Sequence, residues 1–305
     1  MMWSRRSWIA SCLTTSLLGA KNRIDLSRVS VITDEVARTA EDAVAFAKQY
    51  GLRWVELRQV PGKRAEYAFL SEEEVRTTAQ LLDRHGLRVS FLNTSLLKVM
   101  IPGLEPARWS KDDGERRLAR MKADQTRFER RFEDLQKAIR AAKILGVDKV
   151  RVFTGWRTPD PMAALPRVAE VIRELAAVAG SEKIHLLVEN EVACNVGTCA
   201  ELAALFKLIP SPWVGINWDP HNGSAHQENP FPDGYRLLPK KRIWNVQIKG
   251  KSILNYPGKL DWKSIFRALQ EDGYPGQVGL ETHIFGDGQI QASHDSMREL
   301  LRLLA

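Results

Sequence analysis

Three cysteines in 305 residues are too few for a disulfide scaffold or a thiolate-rich zinc site. No apolar run reaches the roughly 20 residues that a bilayer-spanning helix needs, which argues against an integral membrane domain. No G-x-G-x-x-G follows the first apolar run, so the dinucleotide-binding reading lacks its signature. Nor is there a low-complexity or collagen-like stretch. What is present is an ordinary globular mix, with 44% apolar and 27% charged residues, 20 Gly and 14 Pro. The 45 basic against 37 acidic side chains give a formal charge of +8, which permits an anionic partner without demanding one.

The chain opens MMWSRRSWIASCLTTSLLGAKNR. Arg5 and Arg6 precede an uncharged stretch from Trp8 to Leu18, too short to span a membrane, and residues 1–20 are expected to be a twin-arginine-like export signal. The expected location is then periplasmic, or cytoplasmic where the signal is not used. Export would leave Cys194 and Cys199 as the remaining thiols, either paired in an oxidising compartment or, the commoner case, separately buried.

From residue 27 to the end, one pattern recurs and predicts a single catalytic domain. A short β-branched, apolar run is followed by a capped amphipathic helix that stops at glycine. The runs are Val29–Thr33, Arg53–Leu57, Leu87–Leu92, Val147–Phe153, Ile184–Val188, Val214–Trp218, Ile243–Ile248 and Val278–Leu280. Capping boxes begin at Thr39, Ser71 and Thr198, and Asp261 caps the helix after the seventh run. Expected stops are Gly51, Gly86, Gly146, Gly180 and Gly273, and the last helix is expected after Ser293. The basic stretch from Arg108 to Arg131 reads as a solvated helix face, with a lid over the cavity as its functional alternative. Strands separated by helices pair in parallel, and eight such units predict an α/β fold, the (β/α)8 TIM barrel.

In a barrel the chemistry gathers at the C-terminal ends of the strands. Those ends carry Asp34-Glu35, Glu56-Leu57-Arg58, Asn93-Thr94-Ser95 with Lys98, Thr154 with Arg157, Glu189, Asp219-Pro220-His221-Asn222, Gln247 with Lys249, and Glu281-Thr282-His283. Four consecutive strands thus bring Glu189, Asp219, Gln247 and Glu281 to comparable depth. Unpaired carboxylates in one cavity repel, and a divalent cation relieves that conflict. An all-oxygen set suits Mn²⁺ or Mg²⁺; Mn²⁺ is the expected ion, with Mg²⁺, Co²⁺ or Zn²⁺ as alternatives. Lys249 shares a face with Gln247 and is expected to neutralise a carboxylate or hold a substrate oxygen. Arg58, Lys98, His221 and Asn222 are the candidate substrate contacts, and His283, His221 and Lys249 the candidate proton donors to oxygen. Asp34 and Glu35 read as partners of Arg58, and His185 as a core histidine.

These segments, in this order from Ser30 to Leu304, resemble the xylose isomerase-like superfamily of sugar phosphate isomerases and epimerases. The carrying motifs are Thr33-Asp34-Glu35, Val55-Glu56-Leu57-Arg58, Ser95-Leu96-Leu97-Lys98, Val188-Glu189-Asn190, Asn217-Trp218-Asp219-Pro220, Val246-Gln247-Ile248-Lys249 and Leu280-Glu281-Thr282-His283. The resemblance implies metal ligation by Glu189, Asp219, Gln247 and Glu281. It also implies that Glu189 and Glu281 pass protons from opposite sides of the substrate. Two departures bear on reaction type. Gln247 stands where many members have His, although members similar to dehydroshikimate dehydratase use Gln. Asn222 stands where epimerase members have His, with His221 one place earlier.

The resulting expectation is a metal-dependent isomerase or epimerase acting on a keto-sugar or sugar phosphate, by proton abstraction and a metal-stabilised enediolate. A lyase, dehydratase or keto-glycoside-cleaving enzyme on the same scaffold is the alternative. A DNA-repair endonuclease of the superfamily ranks lower, because strands one to three end in no histidine. A non-catalytic sugar-binding module is the remaining reading. The expected partner is a small carbohydrate rather than nucleic acid, and a homo-oligomer is compatible with the sequence.

Overall fold

The computed structural model describes residues 23–109, 114–254 and 260–305; the expected export segment and Cys12 lie outside them. In the described residues, eight parallel strands surround a common axis: β1 (Val29–Val31), β2 (Trp54–Leu57), β3 (Arg88–Leu92), β4 (Lys149–Val152), β5 (His185–Glu189), β6 (Val214–Trp218), β7 (Ile243–Lys249) and β8 (Gln277–Glu281). β1 pairs with β8, and the ladder continues strand by strand to β2. A parallel bridge from Ile32 to Glu56 spans the seam between β1 and β2, so the barrel is nearly closed.

Outside the strands lie α1 (Ala40–Gln49), α2 (Glu72–Arg84), α3 (Gly114–Glu129), α4 (Arg131–Leu145), α5 (Pro161–Ser181), α6 (Cys199–Leu208), α7 (Trp262–Glu271) and α8 (Gln289–Leu304). The connection from β6 to β7 includes only short turns such as Pro220–Ser224 and Tyr235–Leu237 among its described residues. Ser71 and Thr198 each form the full reciprocal capping box with the glutamate three residues on, and Thr39 and Asp261 cap α1 and α7. Gly51, Gly86, Gly146 and Gly273 adopt the left-handed conformation that ends a helix.

Gly180 does not act as a stop. It lies inside α5, and an added Cβ would fall 2.4 Å from the Trp213 ring, so close packing requires the glycine. The left-handed residue after α5 is Lys183. The last helix starts at Gln289, a turn earlier than the composition indicates. The basic stretch after β3 contains α3, whose face is largely exposed, as the solvated reading expects. Its one buried acid, Asp124, accepts from Met100 N at 2.7 Å and from Trp156 Nε1 at 2.5 Å, which ties the helix to the barrel.

Strand alternation sorts the side chains. On β7, Val246 and Ile248 face outward into the apolar layer beneath the helices, together with Ile216, Trp218, Val278 and Leu280 from the flanking strands. The alternate residues Asn245, Gln247 and Lys249 face the axis, all buried. The barrel interior is therefore polar where β5 to β8 meet, and each polar group left unpaired there costs free energy. Gly279 leaves room for this. A Cβ there would lie 2.0 Å from Glu56 Oε1, across the barrel.

Candidate metal centre

Glu189 ends β5, Asp219 directly follows β6, and Glu281 ends β8. All three are buried, and one oxygen from each lies within 4.8 Å of the others. The turn after β6 fixes Asp219. Its Oδ1 accepts the Asn222 N–H at 3.1 Å, its N–H donates to Asn190 Oδ1 at 2.8 Å, and its carbonyl accepts from Asn190 Nδ2 at 2.7 Å. Asn222 Nδ2 donates to Asn190 O, so Asn222 fastens the β5 and β6 loops to each other. His221 is half-buried on the same turn.

Charge relief among these acids does not rest on a metal alone. Glu189 Oε2 accepts from Arg151 Nη1 at 3.0 Å and from Asn217 Nδ2 at 2.7 Å. Lys249 Nζ lies 2.6 Å from Glu281 Oε2 and 3.0 Å from Asp219 Oδ2. The contact to Asp219 is an ion pair off the hydrogen-bonding direction, so Oδ2 accepts no hydrogen bond. Burial alone would lower the Lys249 pKa, but Asp219, Glu281 and Glu189 raise it well above its usual value, and the ammonium stays charged. Asp219 is pushed up to about 7, first by burial and then by Glu189 and Glu281, against the pull of Lys249.

A second acidic group shares Glu281 and adds Glu35 and His283. Arg58 stands among its acids. Its Nη2 reaches Asp34 Oδ2 at 2.7 Å and Glu35 Oε1 at 2.6 Å, and its Nη1 reaches Glu281 Oε1 at 3.0 Å. Asp34 and Glu35 thus hold Arg58, as their sequence positions suggest, and Arg58 reaches across to β8 as well. Burial opposes ionisation of Glu281, yet Lys249, His283 and Arg58 hold it well below the usual carboxylate range. His283 adopts φ 49°, donates its backbone N–H to Glu35 Oε2 at 2.7 Å and brings Nδ1 to 3.4 Å from Glu281 Oε1. A left-handed histidine costs backbone energy, and here it sits at the mouth between two carboxylates.

Gln247 lies on the row of Asp219, since their preceding residues Val246 and Trp218 pair. Its Nε2 donates to Glu56 Oε2 at 2.6 Å, and its Oε1 is buried without a partner. Lys98, at the rim, places Nζ 3.3 Å from Glu191 Oε1 and 4.6 Å above the Phe153 ring. His185 stacks between Trp213 and Trp244 at the start of β5, away from the strand ends. Cys194 and Cys199 are both buried free thiols, and burial pushes Cys194 up to about 12.

Sequence reasoning missed Arg151 and Asn245 and gave Glu56 and Asn217 no role. Their signal was polarity at alternate positions inside otherwise apolar strands, as in Lys149-Val150-Arg151-Val152 and Asn245-Val246-Gln247.

The donor set fits a hard divalent cation. Three carboxylate oxygens converge, an amide oxygen and Asp219 Oδ2 are buried and accept no hydrogen bond, and no thiol joins them among the described residues.

A profile described as the xylose isomerase-like TIM barrel matches residues 44–304, and the chain belongs to that family. Several of the proteins it is similar to are named as isomerases or epimerases. A putative hydroxypyruvate isomerase from Homo sapiens is 25% identical over 236 residues, 73% of this chain and 79% of that protein. The structure of a 3-keto-D-glucoside 4-epimerase from E. coli superposes with a TM-score of 0.64 at 16% identity, covering 90% of this chain and 99% of that one. A xylose isomerase-like barrel from Mycobacterium smegmatis, in complex with magnesium, gives 0.61 at 18% identity over 92% and 98% of the two chains.

Proposed function

We propose that this chain is a divalent-metal-dependent isomerase or epimerase of a small hydroxy-ketone or keto-sugar. The observation that carries the reading is the convergence of Glu189, Asp219 and Glu281 oxygens within 4.8 Å at the buried mouth of the barrel. The hydroxypyruvate isomerase relative supports an α-hydroxycarbonyl substrate.

Glu189, Asp219, Glu281 and the Gln247 oxygen would hold the cation, Mn²⁺ in first place. When bound, it would polarise a carbonyl and its neighbouring hydroxyl and so acidify the carbon between them. The chain's own residues do the rest. Arg151 and Asn217 both bond Oε2 of Glu189, which fixes the carboxylate and leaves its other oxygen for the proton in flight. Glu281, kept ionised, faces from β8 and serves as the second proton-transfer group. Lys249 remains an ammonium, so it donates to a substrate oxygen and cannot act as a base. His283 stands beside Glu281 as a further donor to oxygen, and His221 and Lys98 line the approach.

The test supplies metal-free protein with Mn²⁺, Mg²⁺, Co²⁺ or Zn²⁺ in deuterated water, with hydroxypyruvate, ketohexoses and a 3-keto-glucoside as substrates. Deuterium entering the carbon next to the carbonyl, without loss of a substituent, is the expected result. Release of an aglycone or of water would move the chain to the lyases. Absence of exchange with every metal and substrate would overturn the proposal.

A further inference from the structure

Glu56 is buried on β2, and four donors converge on it. Ser30 Oγ and Asn245 Nδ2 reach Oε1 at 3.0 and 3.2 Å, while Asn93 Nδ2 and Gln247 Nε2 reach Oε2 at 3.0 and 2.6 Å. Burial raises the Glu56 pKa and these four donors lower it; held by them as a carboxylate, it only accepts and dictates which end each neighbouring amide turns toward it. Gln247 accordingly presents its NH₂ to Glu56. Its Oε1 is left buried and unpartnered, on the strand that runs between those of Asp219 and Glu281.

The arrangement has a fixed direction. Asn245 Nδ2 also donates to Asn217 Oδ1 at 3.0 Å, and Asn217 Nδ2 donates to Glu189 Oε2. An accept-only group therefore stands at each end of the chain of amides, and neither Asn245 nor Asn217 can turn over without facing two like ends together. Asn93 is different. Its Oδ1, like that of Asn245, has no partner, but its Nδ2 bonds Glu56 alone, whereas the Asn245 Nδ2 bonds two acceptors, so Asn93 can rotate to suit a new neighbour.

We infer that Glu56 is a positioning residue for the cation site, holding the Gln247 amide with its oxygen rather than its nitrogen toward Glu189, Asp219 and Glu281. The inference rests on the cation-binding reading above. A reversed amide would set an N–H against a cation, which is repulsive, whereas the observed orientation offers a neutral oxygen ligand. The groups that support a ligand's orientation commonly decide affinity as much as the ligand's identity does.

The experiment compares wild type, E56Q and the double variant E56Q/Q247E by calorimetric titration of metal-free protein with Mn²⁺. Circular dichroism confirms that each is folded. Gln at 56 keeps the size of Glu but must place an NH₂ somewhere. Asn245 cannot turn, so that NH₂ faces Asn93 and Gln247, and Gln247 reverses. E56Q is expected to bind Mn²⁺ roughly 10- to 100-fold more weakly. The double variant exchanges donor and acceptor at unchanged formal charge and keeps an oxygen for the cation, so it should bind at least as tightly as wild type. Unchanged affinity in E56Q, or a double variant no tighter than E56Q, overturns the inference.

A wild type that takes up none of Mn²⁺, Mg²⁺, Co²⁺ and Zn²⁺ would overturn the proposed function instead. The orientation is then judged without metal, from the ¹⁵N–¹H signals of the Gln247 side-chain amide. These are expected to move in E56Q, and signals that stay in place overturn the inference.

Discussion

Two acidic groups meet at the barrel mouth and share Glu281, yet they are built for different ends. Glu35, Glu281 and His283 form one; Glu189, Asp219 and Glu281 form the other. The first encloses Arg58, a planar cation that cannot lose its proton and whose fork is engaged with Asp34, Glu35 and Glu281 at once. The second faces Lys249, a point charge on a flexible stem, and Gln247, on the strand between those of Asp219 and Glu281, keeps an oxygen with no partner. Equal numbers of candidate ligands therefore do not make equal sites. An arginine fork fills its cluster permanently, whereas the lysine leaves oxygens that a doubly charged ion can draw on.

The sharpest way to break this comparison is to remove one acid from each group. Asp219→Asn is expected to weaken Mn²⁺ binding by more than roughly 100-fold, beyond the cost of disturbing a supporting hydrogen bond, and to abolish turnover with it. Glu35→Gln, which touches only the group filled by Arg58, should leave metal affinity close to wild type. Equal losses from the two, measured by calorimetric titration, would show that the clusters act as one site and would remove the distinction.

Arg58 tests the other half. Replacement by Met leaves Asp34, Glu35 and Glu281 short of a cation in a buried setting, and removing one partner of such a pair costs about 3 kcal/mol or more. That corresponds to a fall in Tm of roughly 5 °C for a chain of this size, at about 2.1 cal/mol/K of unfolding entropy per residue. Lysine at this position should recover only part of the loss, because an ammonium cannot reach three carboxylates in fork geometry. A variant R58M that melts with the wild type would mean that Lys249 and His283 already balance the group.

How much of this was legible in the sequence depended on distance along the chain. The strand-and-helix alternation and the acids at strand ends were readable because each is a local pattern. Glu189, Asp219 and Glu281 needed only the rule that barrel strands point their C-terminal ends at one cavity. The pairing of Arg58 with Glu281 was not readable, since 223 residues separate them and only closure of the barrel brings β2 and β8 to the two sides of β1. Arg151 escaped notice because a charged residue in mid-strand looks like an interruption of the apolar run, when it is the inward half of the alternation. Gly180 misled for the converse reason: its need for glycine comes from Trp213, which the local sequence around α5 does not reveal.

The smallest effect is expected where an arginine holds an acid away from the mouth. Glu201 in α6 accepts both Arg157 nitrogens, Nη2 at 2.7 Å and Nη1 at 3.2 Å, and also the Gly197 and Thr198 N–H groups at 2.8 and 3.0 Å. Burial opposes its ionisation, but Arg157 and these N–H groups prevail and hold it below the usual glutamate range. A depressed carboxyl stabilises the fold fully above its unfolded value, and that contribution disappears as pH falls through the lower folded value. Glu201→Gln should therefore cost about 1–2 kcal/mol at pH 7, and the gap to wild type should close in acid. Denaturant titrations at pH 7, 5 and 3 read this directly. A gap that stays constant across that range would assign the loss to the capping geometry of Thr198 and not to charge, and the contrast between arginine-held and lysine-faced acids would then have to stand on the mouth of the barrel alone.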